Sequence, residues 1–105
     1  MSSPTTRSLA QLRERGYQVW VVEYWNAFSR KHVDLFGIFD ILGCGNGETI
    51  AVQTTSRANI SARAKKIAES DKIAECRKSN WRIEIHGHDK DPKTGRWRCK
   101  IVDVS

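Results

Sequence analysis

The chain has 105 residues, 39% hydrophobic and 29% charged; that is one domain with a small core, and it excludes a disordered chain. With 18 Lys+Arg against 12 Asp+Glu the formal net charge is +6, an excess that favours an anionic partner such as nucleic acid. No stretch reaches the roughly 18 apolar residues of a membrane span, MSSPTTRSLAQ lacks the apolar run of a signal peptide, and Cys44, Cys76 and Cys99 lack zinc-site spacing, so a cytoplasmic protein with reduced thiols and no membrane association is expected.

In chain order, Thr5 or Thr6 can cap a helix running to about Arg15, with Leu9 and Leu12 as its apolar stripe and Gly16 as its stop. YQVWVVEYW, residues 17–25, reads as a strand apolar on both faces and therefore covered on both. A polar connection follows, carrying Arg30 and Lys31. A second strand is expected from about Val33 to Leu42, a turn at Gly43-Cys44-Gly45-Asn46-Gly47, and a third strand from about Thr49 to Thr55. A second helix begins at Ser56 or Asn59 and ends near Ser79-Asn80, with Ile60, Ala64, Ile67 and Ala74 as apolar positions. Trp81 to His86 alternates as a half-buried strand does, DKDPKTG makes a turn, and Arg96 to Val104 is a last strand. The order α-β-β-β-α-β-β predicts a mixed sheet flanked by helices.

Centring the central turn near Asn46 sets opposite each other residues whose numbers sum to about 93. Asp40 then faces Gln53, with Cβ atoms roughly 5 Å apart. Alternation adds Asp34 to the face of Asp40 and Thr55 to the face of Gln53, provided no bulge intervenes. Oxygen ligands of this kind suit a hard cation, which offsets charge and activates water in phosphodiester cleavage. The bland alternative is a cross-strand hydrogen bond between Asp40 and Gln53, with Thr55 simply suiting a strand.

The stretches LAQLRERGYQVWVVEYW, DLFGIFDIL and ETIAVQTTS, together with the element order, resemble the PD-(D/E)XK nuclease superfamily, nearest its small Holliday junction resolvases and related phage nucleases. The resemblance covers roughly residues 7–90. It implies an αβββαβ restriction-endonuclease-like core, here with an extra C-terminal strand. It implies an Asp at the second strand, which Asp40 matches, and Glu-x-Lys on the third, where Gln53 and Thr55 stand instead. A shifted register would set Ala51 at the Glu and Gln53 at the Lys. An acid on the first helix is also implied, and only Glu14 is there; Glu23 is a further candidate acid, or a partner for Arg30 or Lys31.

The resemblance implies a Mg2+- or Mn2+-dependent DNA endonuclease, acting on branched DNA and working as a homodimer. Asp40, Asp34 and Gln53 would hold the metal, and Thr55 would orient water or phosphate. Arg57, two residues beyond Thr55, would supply the charge of the missing lysine. Arg57, Arg63, Lys65 and Lys66, with Arg30 and Lys31, would hold the DNA backbone. The alternative is a catalytically inactive member of the fold that binds DNA or serves assembly. His86-Gly87-His88 reads as a solvated strand end, with a metal pair as the lesser reading. Trp20, Trp81 and Trp97 are expected in the core, and Trp25, beside a polar loop, is the candidate for base stacking.

Overall fold

The computed structural model describes residues 4–105. Helix α1 is Pro4–Glu14. Proline in the first helical turn gives up an N–H that has no intrahelical partner anyway, so Thr5 and Thr6 lie inside the helix rather than capping it. The chain then reverses through Tyr17 N–H to Leu12 O and Gly16 N–H to Arg13 O, both 3.1 Å, the paired bonds of a Schellman ending.

Strands β1 (Gln18–Val21), β2 (Tyr24–Asn26) and β3 (Lys31–Val33) follow, then β4 (Ile41–Gly45) and β5 (Glu48–Ser56). A 3-10 turn, Arg57–Asn59, leads into α2 (Ile60–Ala68) and α3 (Ile73–Lys78), and β6 (Arg82–Lys90) and β7 (Trp97–Asp103) complete the chain. One five-stranded sheet runs β1-β4-β5-β6-β7, and β2 and β3 form a separate two-stranded sheet. Within the larger sheet β5 and β6 are parallel, and the other neighbours are antiparallel. The α2–α3 segment supplies the crossover that parallel strands need.

The sheet has a core on each face. On one, Leu12 of α1 packs with Tyr17, Val19, Ile41, Ile50 and Val52. On the other, Ile67, Ile73 and Cys76 pack on Ala51, Ile83 and Ile85. The expected mixed α/β sheet flanked by helices is therefore what the chain forms. The β4–β5 register is Ile41↔Val52 through Gly45↔Glu48, every pair summing to 93. The turn is Asn46-Gly47, with φ of 54° and 77°, the positive pair a two-residue hairpin requires.

Several expected boundaries differ. The run 17–25 is not one strand, since it breaks at residues 22–23 and its second part turns away to pair with β3. Nor is it covered on both faces. β1 is an edge strand and Trp20 is 78% exposed. Val33 to Leu42 is likewise not one strand: residues 34–40 form a loop closed by a Leu35↔Phe39 bridge. Gly43, Cys44 and Gly45 are strand residues, and the long second helix is divided at residues 69–72. Of the tryptophans expected inside, Trp20 and Trp97 are exposed, and only Trp81 is half-buried, against Phe36 and Phe39.

Gly87, buried in β6, lets the start of α2 approach the sheet. A Cβ there would collide with the Ile60 side chain and come within 3.0 Å of Arg57 Cα. Gly87→Ala is expected to cost about 1–3 kcal/mol, read as a lower urea midpoint at unchanged slope. An unchanged midpoint would show that α2 re-seats freely.

Candidate functional site

Two hairpin registers bring three carboxylates together. In the β2–β3 hairpin Tyr24 pairs with Val33 and Trp25 with His32. Continuing that register one step beyond the ladder makes Glu23 and Asp34 the next cross-strand pair. Asp40 arrives from the other hairpin. Its N–H donates to Val52 O at 2.9 Å, and its carbonyl accepts from Val22 N–H at 2.8 Å, so it is fixed between β1 and β5. The carboxylates of Glu23, Asp34 and Asp40 each offer an oxygen within 4.8 Å of the others.

Asp40 is buried. Its Oδ2 accepts from Gln53 Nε2 (2.8 Å), Thr54 N–H (2.7 Å) and Thr54 Oγ1 (2.8 Å). The expected meeting of Asp40 and Gln53 is therefore present, as a hydrogen bond. The hydroxyl on Asp40 is Thr54's, which also meets Thr5 Oγ1 of α1 at 3.2 Å. Thr54 points to the α1 side of the sheet and its reach was not legible from alternation alone. It depends on Asp40 sitting at a bend just before β4. Thr55 is buried, on the side of Ala51 and Gln53, and has no hydrogen bond to Asp40.

Gln53 is only 2% exposed, and its Oε1 is buried with no partner. An unsatisfied buried amide oxygen costs about 1–3 kcal/mol. Rotation of the amide about its terminal bond would present Oε1 to a cation beside Asp40. The donor set is all oxygen, three carboxylates and an amide, which fits Mg2+ or Mn2+ and not a soft metal.

Electrostatics point the same way. Burial, the charge of Asp40, a hydrogen bond to Asp40 and the charge of Glu23 raise Asp34 to about 6, against the opposing charge of Lys66. Lys66 of α2 is thus the cation that acts on Asp34. Arg57 is not. β5 ends at Ser56, so Arg57 starts the 3-10 turn, and its Nη1 lies 3.9 Å from Asp89 Oδ1 at the far end of β6. The shared strand face expected for Arg57 does not exist. Lys65 points to Glu69 at 4.0 Å, Arg63 is half-buried on α2, and Arg30 and Lys31 are exposed on the β2–β3 hairpin. Glu14 is exposed on α1 and is not among these acids. A surface groove of about 740 Å3 lies along β1 beside Val19, Trp20 and Leu42, and none of the three acids lines it.

A second polar system occupies the α1 face of β6. His86 and His88 are buried on β6, not solvated at a strand end. Ser8 Oγ of α1 lies 2.9 Å from His86 Nδ1 and 2.8 Å from His88 Nε2. Ionised Glu84 can only accept, so His86 donates to it from Nε2 at 2.9 Å. Arg15 grips Glu84 with two bonds of 2.9 Å, and Arg82 adds one of 2.7 Å. Burial alone would raise Glu84, but these donors outweigh it and hold the carboxyl far below the usual range. Burial and the charges of Arg7 and His86 depress His88 to about 4. Cys99 completes a group with the two histidines, but His86 Nδ1, His86 Nε2 and His88 Nε2 are already engaged by Ser8 and Glu84. That system docks α1 on the sheet.

No protein-family model, curated protein or solved structure matches the chain, and the geometry of its own residues is left to carry the function.

Asp34 gives a stability test. With a folded pKa near 6 against an ordinary 3.8, the native state keeps a proton that the unfolded chain releases between about pH 4 and 6. Stability therefore falls as pH rises through that window, and the cost is fully present above it. Asp34→Asn is expected to raise Tm at pH 7.5 by a few degrees, at about 4–8 °C per kcal/mol, and to change it little at pH 4. An equal shift at both pH values would place the cost outside the charge.

Proposed function

We propose that the protein is a Mg2+- or Mn2+-dependent nuclease acting on DNA, with the cation held by Glu23, Asp34 and Asp40 and completed by Gln53. The observation that supports this reading best is the convergence of three carboxylates beside Gln53, which bonds Asp40 through Nε2 and whose buried Oε1 lacks a partner. Like charges so gathered repel and cost stability, and a fold retains such a group where a cation relieves it. The net charge of +6 and the exposed cations of α2 and the β2–β3 hairpin suit a phosphate backbone.

When bound, a divalent ion in such a site offsets phosphate charge and lowers the pKa of an attacking water. The chain's own residues do the rest. Thr54, through its N–H and hydroxyl, fixes Asp40 in one rotamer. Without a cation Gln53 donates to the same oxygen, and turning its amide would offer Oε1 in place of that bond. Lys66 supplies the positive charge that neither Gln53 nor Thr55 can. It takes the role first expected of Arg57, arriving from α2 instead of from β5.

The test is Mn2+ titration by calorimetry together with cleavage of branched, linear and single-stranded DNA. Asp40→Asn is expected to abolish both Mn2+ binding and turnover while changing DNA affinity only a few-fold. Lys66→Ala is expected to keep Mn2+ binding and to slow cutting on the order of 10²-fold. Tight DNA binding with neither Mn2+ uptake nor cutting would replace this reading with that of an inactive, DNA-binding member of the fold.

A further inference from the structure

The β2–β3 hairpin is the least explained surface of the molecule. Its ten residues, YWNAFSRKHV at 24–33, contain no acid. Tyr24 and Trp25 are 58% and 56% exposed, and Phe28 at the tip is fully exposed. Aromatic side chains gain nothing from water, so three of them presented together on a ten-residue finger mark a contact surface. The finger is well formed. Asn26 Oδ1 accepts from the N–H groups of Phe28 (2.9 Å) and Ser29 (3.2 Å), closing the turn, and Trp25 and His32 meet edge to face with centroids 5.4 Å apart.

Its placement is what gives it meaning. Glu23 precedes the first residue of the finger and Asp34 follows the last, so the finger is rooted on the acid cluster. Alternation along a strand puts residues two apart on one face, about 6.6 Å from each other. Trp25 therefore shares a face with Glu23, and His32 shares one with Asp34. That step is close to the separation between successive nucleotides of an extended strand. The opposite face and the tip carry Lys31 and Arg30, which make no ion pair among the described residues.

We propose that the finger binds an unpaired stretch of DNA, with one base stacked on Trp25 and backed by His32, and with Arg30 and Lys31 on the flanking phosphates. A π-face can stack on a base only where that base is out of its duplex, since paired bases present edges, not faces. The proposal rests on the nuclease reading only for the consequence that a base seated on Trp25 leads its backbone to Glu23, Asp34 and Asp40. The substrate class is then single-stranded DNA, or the unpaired strand of a frayed end or flap, in preference to continuous duplex.

The experiment measures binding of fluorescein-labelled oligo(dT) and of a duplex of equal length by anisotropy, in EDTA so that metal and cleavage play no part. The wild-type chain is expected to prefer the single strand. Trp25→Ala is expected to weaken oligo(dT) binding about 5- to 150-fold, as loss of one stacked base does, and Trp25→Phe to retain most of it. Arg30→Ala and Lys31→Ala are each expected to flatten the log-log salt slope by about 0.7. Because the side chains are exposed, thermal melts should coincide with the wild type, which separates loss of contact from loss of fold.

Equal affinity for both DNA forms with no effect of Trp25→Ala would overturn the proposal. A Trp25→Ala variant that sediments as a smaller species while binding DNA unchanged would assign the finger to contact between protein chains instead. Asp40→Asn, run in parallel, keeps the two readings apart. If it binds oligo(dT) normally and the wild type never cuts, the finger stands and the nuclease reading falls. If the wild type cuts and Trp25→Ala binds oligo(dT) as well as it does, the reverse holds.

Discussion

The register of the β4–β5 hairpin decides which polar groups can meet in this molecule. Ile41, Ile50 and Val52 are fully buried on one face of that hairpin. At about 1.5–3 kcal/mol each, and counted as an upper estimate, they favour the observed pairing by roughly 5–9 kcal/mol. A one-residue slip would put Ile41 on the face of the sheet opposite to Ile50 and Val52. The hydrogen bond between Gln53 and Asp40 contributes only about 0.5–1.5 kcal/mol if it behaves as a neutral one. The apolar face wins this comparison. Asp40 meets Gln53 and Thr54 because hydrophobic side chains elsewhere on the same strands fix the register. The site is a consequence of the core, not a cause of it.

The sheet then carries two buried polar systems of opposite character. On the α1 side, Glu84 accepts four hydrogen bonds from Arg15, Arg82 and His86, and Ser8 links the two histidines. The Glu84 carboxylate, both nitrogens of His86 and the Ser8 hydroxyl all have partners, as a buried network needs if it is to stabilise. Its groups oppose acid. Glu84 favours folding above the ordinary carboxylate range, and His88, held near 4, favours folding more as pH rises from about 4 to its ordinary 6.5. The acid cluster has the reverse sign, because Asp34 at about 6 loses stability as pH rises. One system holds helix to sheet, and the other weakens the fold where it gathers charge. That contrast separates the two systems more sharply than residue type does, since both contain buried ionisable groups.

Local signals carried the parts of this picture that are local. Asn46-Gly47 made the hairpin and its register legible, and the alternation from Trp81 to His86 found β6. The Asp40–Gln53 contact followed from that register alone. What stayed hidden needed three-dimensional context. The run 17–25 has the composition of a central strand, yet it breaks after Val21, since its second part pairs with β3 to make the finger. Trp20 and Trp97, which read as core, are exposed because β1 and β7 are the edge strands of the sheet. Arg57 looked like strand by spacing, but β5 stops at Ser56, and Asp89 takes its guanidinium. Glu23 and Asp34 are eleven positions apart in sequence, and nothing in the sequence says that the intervening segment folds back on itself to join them. Glu84 looked like the solvent face of an alternating strand, and only the arrival of Arg15 from α1 makes it a buried acceptor.

The composition of the cluster also follows from charge and distance more than from any motif. A strand bearing Glu-x-Lys would place an acid and a cation on β5 itself. Here β5 offers a neutral amide at Gln53 and a hydroxyl at Thr55, one negative and one positive charge short. The negative charge is present nonetheless, on Glu23 and Asp34 at the base of the finger, and a positive one on Lys66 of α2. A cation responds to oxygen atoms at the right separation, whichever strand they hang from. Because Glu23 and Asp34 close the two ends of one hairpin, their spacing depends on how that hairpin is held. Under the proposed function, a strand that grips Trp25 or His32 would act on the carboxylates one step along the same face. Free-energy coupling between two such sites is reciprocal, so a strand bound at the finger and a cation bound at its root would each change the affinity for the other.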